Sequence, residues 1–590
     1  MSPTEPLPTP EALPSPGEED ADTNAVTASV GALADHAVGS MRLARVGERR
    51  IAVIRTADGV HALDNACPHQ GYGLVTGALD GDVVTCQWHN WKFRVTDGRC
   101  LLGEEDVACH RVDIVDGDVQ VTVAEPSAAE RRAVLWPSLL RGVDRHYTGQ
   151  IARDAARLLD AGATPAEIVA AAMAHAAPRL EDGIGHELAN AADCLHLAPL
   201  WTGLDAALPV TQAVAGIAEG ARDRPVQPLP APDAAVDLLD AIEREDAATA
   251  MAAVLGRLDA EGTDAMPGLR ADLIEAASAH HLGYGHGAIY TQKTFELLDL
   301  VGDDHAGALL PWLAMSLVQL TREDLLPYMR RATRAIEATD LDALAAAPDR
   351  RRTGWSPDDA LLSALLDGDD APIETAALTV TGGAGVEGLL DAVVLGAAAR
   401  LLRHDPTVDF DPGVAFDWLD ITHALTYANA ARWAWRAAPG PATARLALFT
   451  VFLLHDSGRA ERWGLVHPVP TPDPRPGSVL DEVLDTVLDR RPDDAVAHVL
   501  AVDPDDHEAV AAVGEQLARV AMADRAGSFI VAAHVVKLIE AARREATETA
   551  SMLPLAAAAR FAAAPRLERF VAAAAVEAVD FVRTGTPPRR

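Results

Sequence analysis

Lysine is nearly absent from this chain of 590 residues: only Lys92, Lys293 and Lys537 occur, and the other 47 of its 50 basic residues are arginine. Positive charge is scarce altogether, because 87 Asp and Glu leave a net charge of -37. Such a surface repels phosphate, which excludes a nucleic-acid binder held by backbone contacts and argues against an anionic membrane surface as partner. Aromatic residues make up 4%, too little for a β-rich protein of this length, while alanine runs such as Leu555 to Ala564 favour helix. The five cysteines, Cys67, Cys86, Cys100, Cys109 and Cys194, are too few and odd in number for a disulfide scaffold, so a reducing compartment is expected. The charge-free apolar stretch Leu446 to Leu454 has nine residues, about half of the roughly 20 that a spanning helix requires. The first thirty residues hold no Lys or Arg, six acidic residues and six prolines. That is the opposite of a secretory leader and reads as a disordered acidic tail. The expected location is cytoplasmic.

What is present divides the chain in two. From about Gly31 to Ala124, period-two segments such as Arg50-Ile-Ala-Val-Ile-Arg55 and Val119-Gln-Val-Thr-Val123 alternate with turn signals at Asp58-Gly59, Asp80-Gly81, Asp97-Gly98 and Asp116-Gly117. This predicts a small all-β module over residues 31–125. After Glu125-Pro126 the chain is rich in Ala, Leu, Arg, Asp and Glu, with Pro-rich breaks at 224–233 and 467–476. The fold class is therefore multidomain: a small all-β module followed by a large, mainly α-helical region over residues 126–590, long enough for three or four bundles. Gly183-Ile-Gly-His186 and Gly283-Tyr-Gly-His286 share a Gly-x-Gly-His string, too short to count as a repeat.

The β module carries the chemistry. Cys67-Pro68-His69 is followed after sixteen residues by Cys86-Gln87-Trp88-His89. Each half supplies one thiolate and one imidazole from what should be a loop tip, and Gly71 and Gly73 permit the tight turns that bring such tips together. A zinc finger normally pairs Cys with Cys and His with His; here the halves are mixed. Cys100, Cys109 and Cys194 are expected to pack in cores.

At these residues the sequence resembles the Rieske family, over about residues 38–124, including Cys-Pro-His-Gln-Gly-Tyr-Gly-Leu74 and Cys-Gln-Trp-His-Asn-Trp-Lys-Phe93. The resemblance implies one [2Fe-2S] cluster per chain, with Cys67 and Cys86 on the inner iron and His69 and His89 on the outer, reducible iron. Respiratory members carry an extra cysteine pair bracing the two loops. Tyr72 and Trp88 stand at those positions, which implies the low-potential ferredoxin type, toward the lower end of a range of about -150 to +300 mV.

In the helical region the rarity of lysine singles out Lys293 and Lys537, because a compact ammonium survives arginine bias where a planar fork will not serve. Lys293 follows His286 by seven residues and Lys537 follows His534 by three, so each shares a helix face with a histidine. His286, Lys293, His534 and Lys537 are the candidate catalytic pocket, for an anionic or carbonyl-bearing ligand; the plainer alternative is i,i+3 pairing with Glu296 and Glu540. His186 with Glu187, His280 with His281, Asp420 with His423 and Tyr427, and His455 with Asp456 are further groups able to ligate a second metal. The segments Tyr284 to Leu298 and Ile421 to Trp435 are faintly similar to questin oxidase-like proteins, which implies oxygen insertion.

Three functions follow. The first is an iron-sulfur oxidoreductase in which the Rieske-type module relays single electrons to chemistry on a small molecule in the fused helical region. A second is a ferredoxin-like carrier whose helical region docks a partner, with a reductase as electron donor in either case. A third is a Rieske non-haem iron oxygenase, whose D-x2-H-x4-H motif is met by Asp193 and His196 but has Trp201 at the second histidine. Whether a second metal or a flavin is bound, and the oligomeric state, are open on the sequence.

Overall fold

The computed structural model describes residues 25–349, 355–368, 371–405, 418–462, 466–472, 479–523, 528–564 and 571–585. The chain divides into two compact units whose boundary in sequence falls between Arg131 and Arg132.

The first unit holds ten antiparallel strands: β1 (Val26–Ala32), β2 (Met41–Val46), β3 (Arg49–Arg55), β4 (Val60–Asp64), β5 (Ala78–Asp80), β6 (Val83–Thr85), β7 (Lys92–Arg94), β8 (Cys100–Leu102), β9 (Cys109–Val115) and β10 (Asp118–Val123). Six form one sheet in the order β1-β10-β9-β4-β3-β2, and four form a second in the order β5-β6-β7-β8. The expected turns appear where Gly81, Gly98 and Gly117 adopt positive φ, with Asp116 at φ 52°. Residues 26–30, read from sequence as part of the tail, instead belong to β1, because the alternating segment from Val26 pairs with Val123 and its neighbours. Residues 1–24 lie outside the described residues.

Strand β3 explains how the unit presents its site. Its four central residues are all buried, with alternate side chains entering two different cores. Ile51 and Val53 pack with Val119, Val121 and Val123. Ala52 and Ile54 pack with Leu63, Leu74, Phe93, Trp91 and the two cysteines Cys67 and Cys86. Burying one such aliphatic side chain contributes about 1.5–3 kcal/mol, so the second core fixes the loops that bear the metal-ligand motif.

The second unit is helical, and one continuous core runs from Leu139 to Ala564. This replaces the three or four separate bundles expected from length: buried alanine lets helix after helix approach closely. The stretch 224–233 does interrupt the helices, lying between Ala207–Ala221 and Leu238–Glu243. The second break lies partly outside the described residues, at 473–476. Four helices carry the site: α1 (His186–Leu197), α2 (His286–Val301), α3 (Trp418–Ala437) and α4 (Phe529–Thr549). They close a ring, α1 against α2, α2 against α3, α3 against α4 and α4 against α1. Among the described residues no helix is long and apolar enough to cross a membrane.

Candidate functional site

In the β unit, the loop after β4 carries Cys67 and His69 and the loop between β6 and β7 carries Cys86 and His89. Each loop folds back on itself. Cys67 N–H donates to the Tyr72 carbonyl at 2.9 Å, Gly71 N–H donates to the Cys67 carbonyl at 2.7 Å, and Cys86 N–H donates to the Trp91 carbonyl at 2.7 Å. Gly71 takes φ +74°, a conformation a side chain resists. The rings of His69 and His89 meet edge to face with centroids 4.6 Å apart, and Trp91 stacks on His69 at 4.7 Å. Tyr72 and Trp88, one from each loop, stack at 4.9 Å with 15° between their planes.

The two thiols face each other. Cys67 donates to Cys86, whose thiol is lowered to about 6 by that bond and by the Trp88 and His89 N–H groups. The same bond and burial push Cys67 up. Two buried sulfurs, two more exposed imidazoles and backbone donors aimed at sulfur are the donor set of a diiron cluster with one thiolate side and one imidazole side, so the residues fit a [2Fe-2S] group of Rieske type. The Tyr72–Trp88 stack joins the two loops where the family's cysteine pair would. Replacing both by alanine is expected to leave the visible spectrum unchanged and to speed bleaching by a chelator several-fold, the loss of about 0.5–1.5 kcal/mol of ring contact; absorbance decay checks it.

In the helical unit, four histidines converge inside the ring of helices. His186 and His286 are the first residues of α1 and α2, each delivered by its Gly-x-Gly-His string. His423 and His534 are each the sixth residue of their helices, α3 and α4. The Nε2 atoms form a chain: His186 to His286 at 3.1 Å, His286 to His423 at 3.0 Å, His423 to His534 at 3.1 Å. The outward nitrogens are anchored. His286 Nδ1–H donates to the Gly283 carbonyl at 2.5 Å, His534 Nδ1–H donates to the Ile530 carbonyl at 2.7 Å, and His186 Nδ1 bonds the Tyr290 hydroxyl at 3.0 Å.

Because carbonyls only accept, His286 and His534 carry their protons outside and turn bare Nε2 lone pairs inward. Burial holds all four rings neutral: His286 is lowered to about 3, and His186, His423 and His534 lie well below the ordinary imidazole range. Neutral imidazoles with outer N–H groups tied to carbonyls are the usual form of metal-bound histidine, and the ligand atoms of all four lie within 4.8 Å of one another. A cavity of about 390 Å³ is lined by Gly183, Gly185, Glu187, Arg224, Gly283 and Tyr290, the tyrosine whose hydroxyl bonds His186.

Of the four pocket residues expected from sequence, His286 and His534 lie in this cluster. Lys537 is buried beside it, its amine lowered to about 7 by desolvation, and its Nζ has no hydrogen-bond partner among the described residues. Lys293 turns the other way, to Asp193 Oδ1 at 2.6 Å and Glu296 Oε2 at 2.9 Å. The i,i+3 alternative thus describes Lys293 with Glu296, while Glu540 takes Arg543 and Arg544 instead of Lys537. His186 and His423, expected from sequence only as members of separate candidate metal-binding groups, complete the cluster.

Asp193 and His196, the residues of the oxygenase motif, meet Glu296, but the Lys293 ammonium already supplies positive charge there. His280 lies between Asp324 and Glu243, His281 between Tyr427 and Glu323, and His455 against the Leu365 carbonyl. The side chain of Asp420 lies outside the described residues. Cys194 is buried and Cys100 half-buried, but Cys109 is exposed at the start of β9, a correction to the packing expected for it.

Comparison with known proteins places residues 27–114 under the Rieske [2Fe-2S] domain model. Ferredoxin CarAc of Metapseudomonas resinovorans is 37% identical over 101 residues, 17% of this chain and 94% of that ferredoxin. The ferredoxin component of the alkene monooxygenase system of Xanthobacter autotrophicus is 39% identical over 62 residues, 10% of this chain and 51% of the relative. Apoptosis-inducing factor 3 of Mus musculus is 35% identical over 92 residues, 16% of this chain and 14% of its own length. The chain therefore spans about half of one relative and a small part of another.

Proposed function

The chain belongs, through residues 27–114, to the Rieske [2Fe-2S] family, and from that premise we propose that it is a two-centre oxidoreductase. In this reading His186, His286, His423 and His534 would hold a redox-active iron, which would supply oxidation of a small organic molecule by dioxygen with single electrons from the module. The observation that carries it is the convergence of four Nε2 atoms with two bare lone pairs inside a buried ring of helices. Imidazole suits iron, copper and zinc alike; a one-electron donor on the same chain favours a metal that changes valence.

Each part of the chain has a role. Cys67, Cys86, His69 and His89 hold the cluster, which supplies one electron at a time. Tethering on one chain raises the effective concentration of donor and acceptor without a separate encounter. Tyr290 fixes the His186 ring, and the cavity it lines is the seat we assign to the small molecule. The acidic surface suits a basic reductase as the source of electrons. The expected assay result is three irons and two acid-labile sulfides per chain, falling to two irons in His534→Ala with the visible spectrum kept. Two irons in the unaltered protein would overturn the reading. It would favour the carrier, to which the ferredoxin relatives also point, in which the helical region serves as a docking scaffold.

A further inference from the structure

A buried redox centre cannot take up electrons alone. Each added negative charge in a low-dielectric interior is costly unless a proton comes with it. The four histidines are poorly placed to bring that proton, because their inner nitrogens face one another and the outer nitrogens of His186, His286 and His534 are tied to a hydroxyl and two carbonyls.

A separate polar chain runs through the same ring of helices. His196, near the end of α1, is half-buried; its Nδ1–H donates to the Ala192 carbonyl at 3.1 Å, which leaves Nε2 as the nitrogen able to exchange a proton. One turn back on α1 is Asp193, fully buried, and the ligand atoms of His196, Asp193 and Glu296 lie within 4.8 Å of one another. Lys293 clamps Asp193 Oδ1 at 2.6 Å and Glu296 Oε2 at 2.9 Å, and Arg544 closes on the other oxygen of Glu296. Asp193 Oδ2 has no hydrogen-bond partner among the described residues, and neither has the Lys537 amine, which interacts electrostatically with Asp193 and with all four histidines. Two orphaned polar groups therefore mark the inner end of a path whose outer end is an imidazole near solvent.

We propose that His196 and Asp193 form the proton route from solvent to the four-histidine centre, held in place by Lys293, Glu296 and Arg544. The proposal rests on the reading of that centre as a redox-active iron site. For each electron the reduced cluster would supply, a doubly protonated His196, its Nδ1–H kept on the Ala192 carbonyl, loses the proton on Nε2 as an O–H bond forms on the Asp193 carboxylate. Asp193 would pass that proton on toward the four-histidine site, where an iron, if bound, would supply the reduction of dioxygen, the oxidant; the neutral His196 then takes a fresh proton from water. The charged groups around Asp193 suit a relay. Burial raises its carboxyl to about 6, opposed by Lys293 and Arg544 and reinforced by Glu540 and Glu296. Glu296, by contrast, is lowered to about 2 by Lys293 and Arg544 against its burial, and so stays ionised as a fixed counter-charge. One carboxylate exchanges protons; the other holds the cations in register.

The test uses the iron-loaded full chain, reduced anaerobically with dithionite, desalted, and mixed with dioxygenated buffer in water and in deuterium oxide. Reoxidation of the mononuclear iron is followed by rapid-freeze electron paramagnetic resonance across neutral pH. His196→Gln is expected to keep three irons and the cluster spectrum and to slow reoxidation about a hundredfold, the lower end of what a positioned acid or base contributes. The solvent isotope effect and the pH dependence should change with it, and added imidazole should restore the rate, which no purely structural role would allow. A His196→Gln protein with the unaltered rate, isotope effect and pH profile would overturn the route. Two irons in the unaltered protein would instead remove the centre itself, so the two failures are distinguishable.

Discussion

Replacing His89 by cysteine is expected to leave a cluster in place and to lower its midpoint potential by roughly 100–250 mV, part of the interval between about -150 mV at the low end for mixed Cys/His ligation and about -400 mV for all-thiolate ferredoxins. Two ferric ions, two sulfides and two thiolates sum to zero charge, so the electron enters a neutral group. A third thiolate makes the oxidised group anionic, and an electron added to it meets repulsion in a site whose sulfurs are buried. His89 is the suitable position: it lies on the exposed side of the loop, so the shorter side chain opens no internal cavity. Redox titration followed in the visible band gives the value, and an unchanged potential would place the outer iron on other residues.

Gly285→Ala is expected to have the second large effect, destabilising the helical unit by about 2–5 kcal/mol and lowering metal uptake at the proposed four-histidine site. Gly285 sits immediately before His286 at φ +89°, and a Cβ there would lie 2.5–2.8 Å from three atoms of the Tyr427 ring. That ring is buried and its hydroxyl bonds His281 Nδ1 at 3.3 Å, so it cannot swing aside. The left-handed conformation contributes about 1–2 kcal/mol and the overpacking about 1–3 kcal/mol. Any shift of this turn is passed directly to His286, whose anchoring carbonyl belongs to Gly283. Gly162→Ala is the control: φ is +82° but nothing lies within 4 Å of the added carbon, so only the backbone part is lost and iron is retained. Denaturant unfolding and iron analysis of both variants separate strain from displacement of the ligand.

The β unit was legible because its determinants are local. Strand alternation and Asp-Gly turns act within a few residues, and the two halves of the ligand motif bring their own turn glycines with them. Strand β1 escaped notice because its partner β10 is almost a hundred residues away and only that pairing raises it above the acidic tail. The four-histidine cluster was legible in halves. His286 and His534 drew attention through the lysines beside them, but Lys293 proves to serve Asp193 and Glu296, so it marked the right helix for a different reason. His423 groups with Asp420 and Tyr427 as one of several candidate metal ligands, but nothing local joins it to His286 and His534, since a histidine inside a helix has no visible partner until other helices close around it. The ring of α1 to α4 joins positions from 186 to 534, and no periodicity within one helix encodes that closure.

The pair of stacked rings across the cluster loops has a consequence for assembly. A sulfur-sulfur bridge needs an oxidant to form and opens to any sufficiently reducing thiol, whereas Tyr72 and Trp88 close by contact alone. The loops can therefore fasten in the presence of the very reductants that keep Cys67 and Cys86 open to metal, so that ripening of the module never requires two incompatible chemical conditions at once.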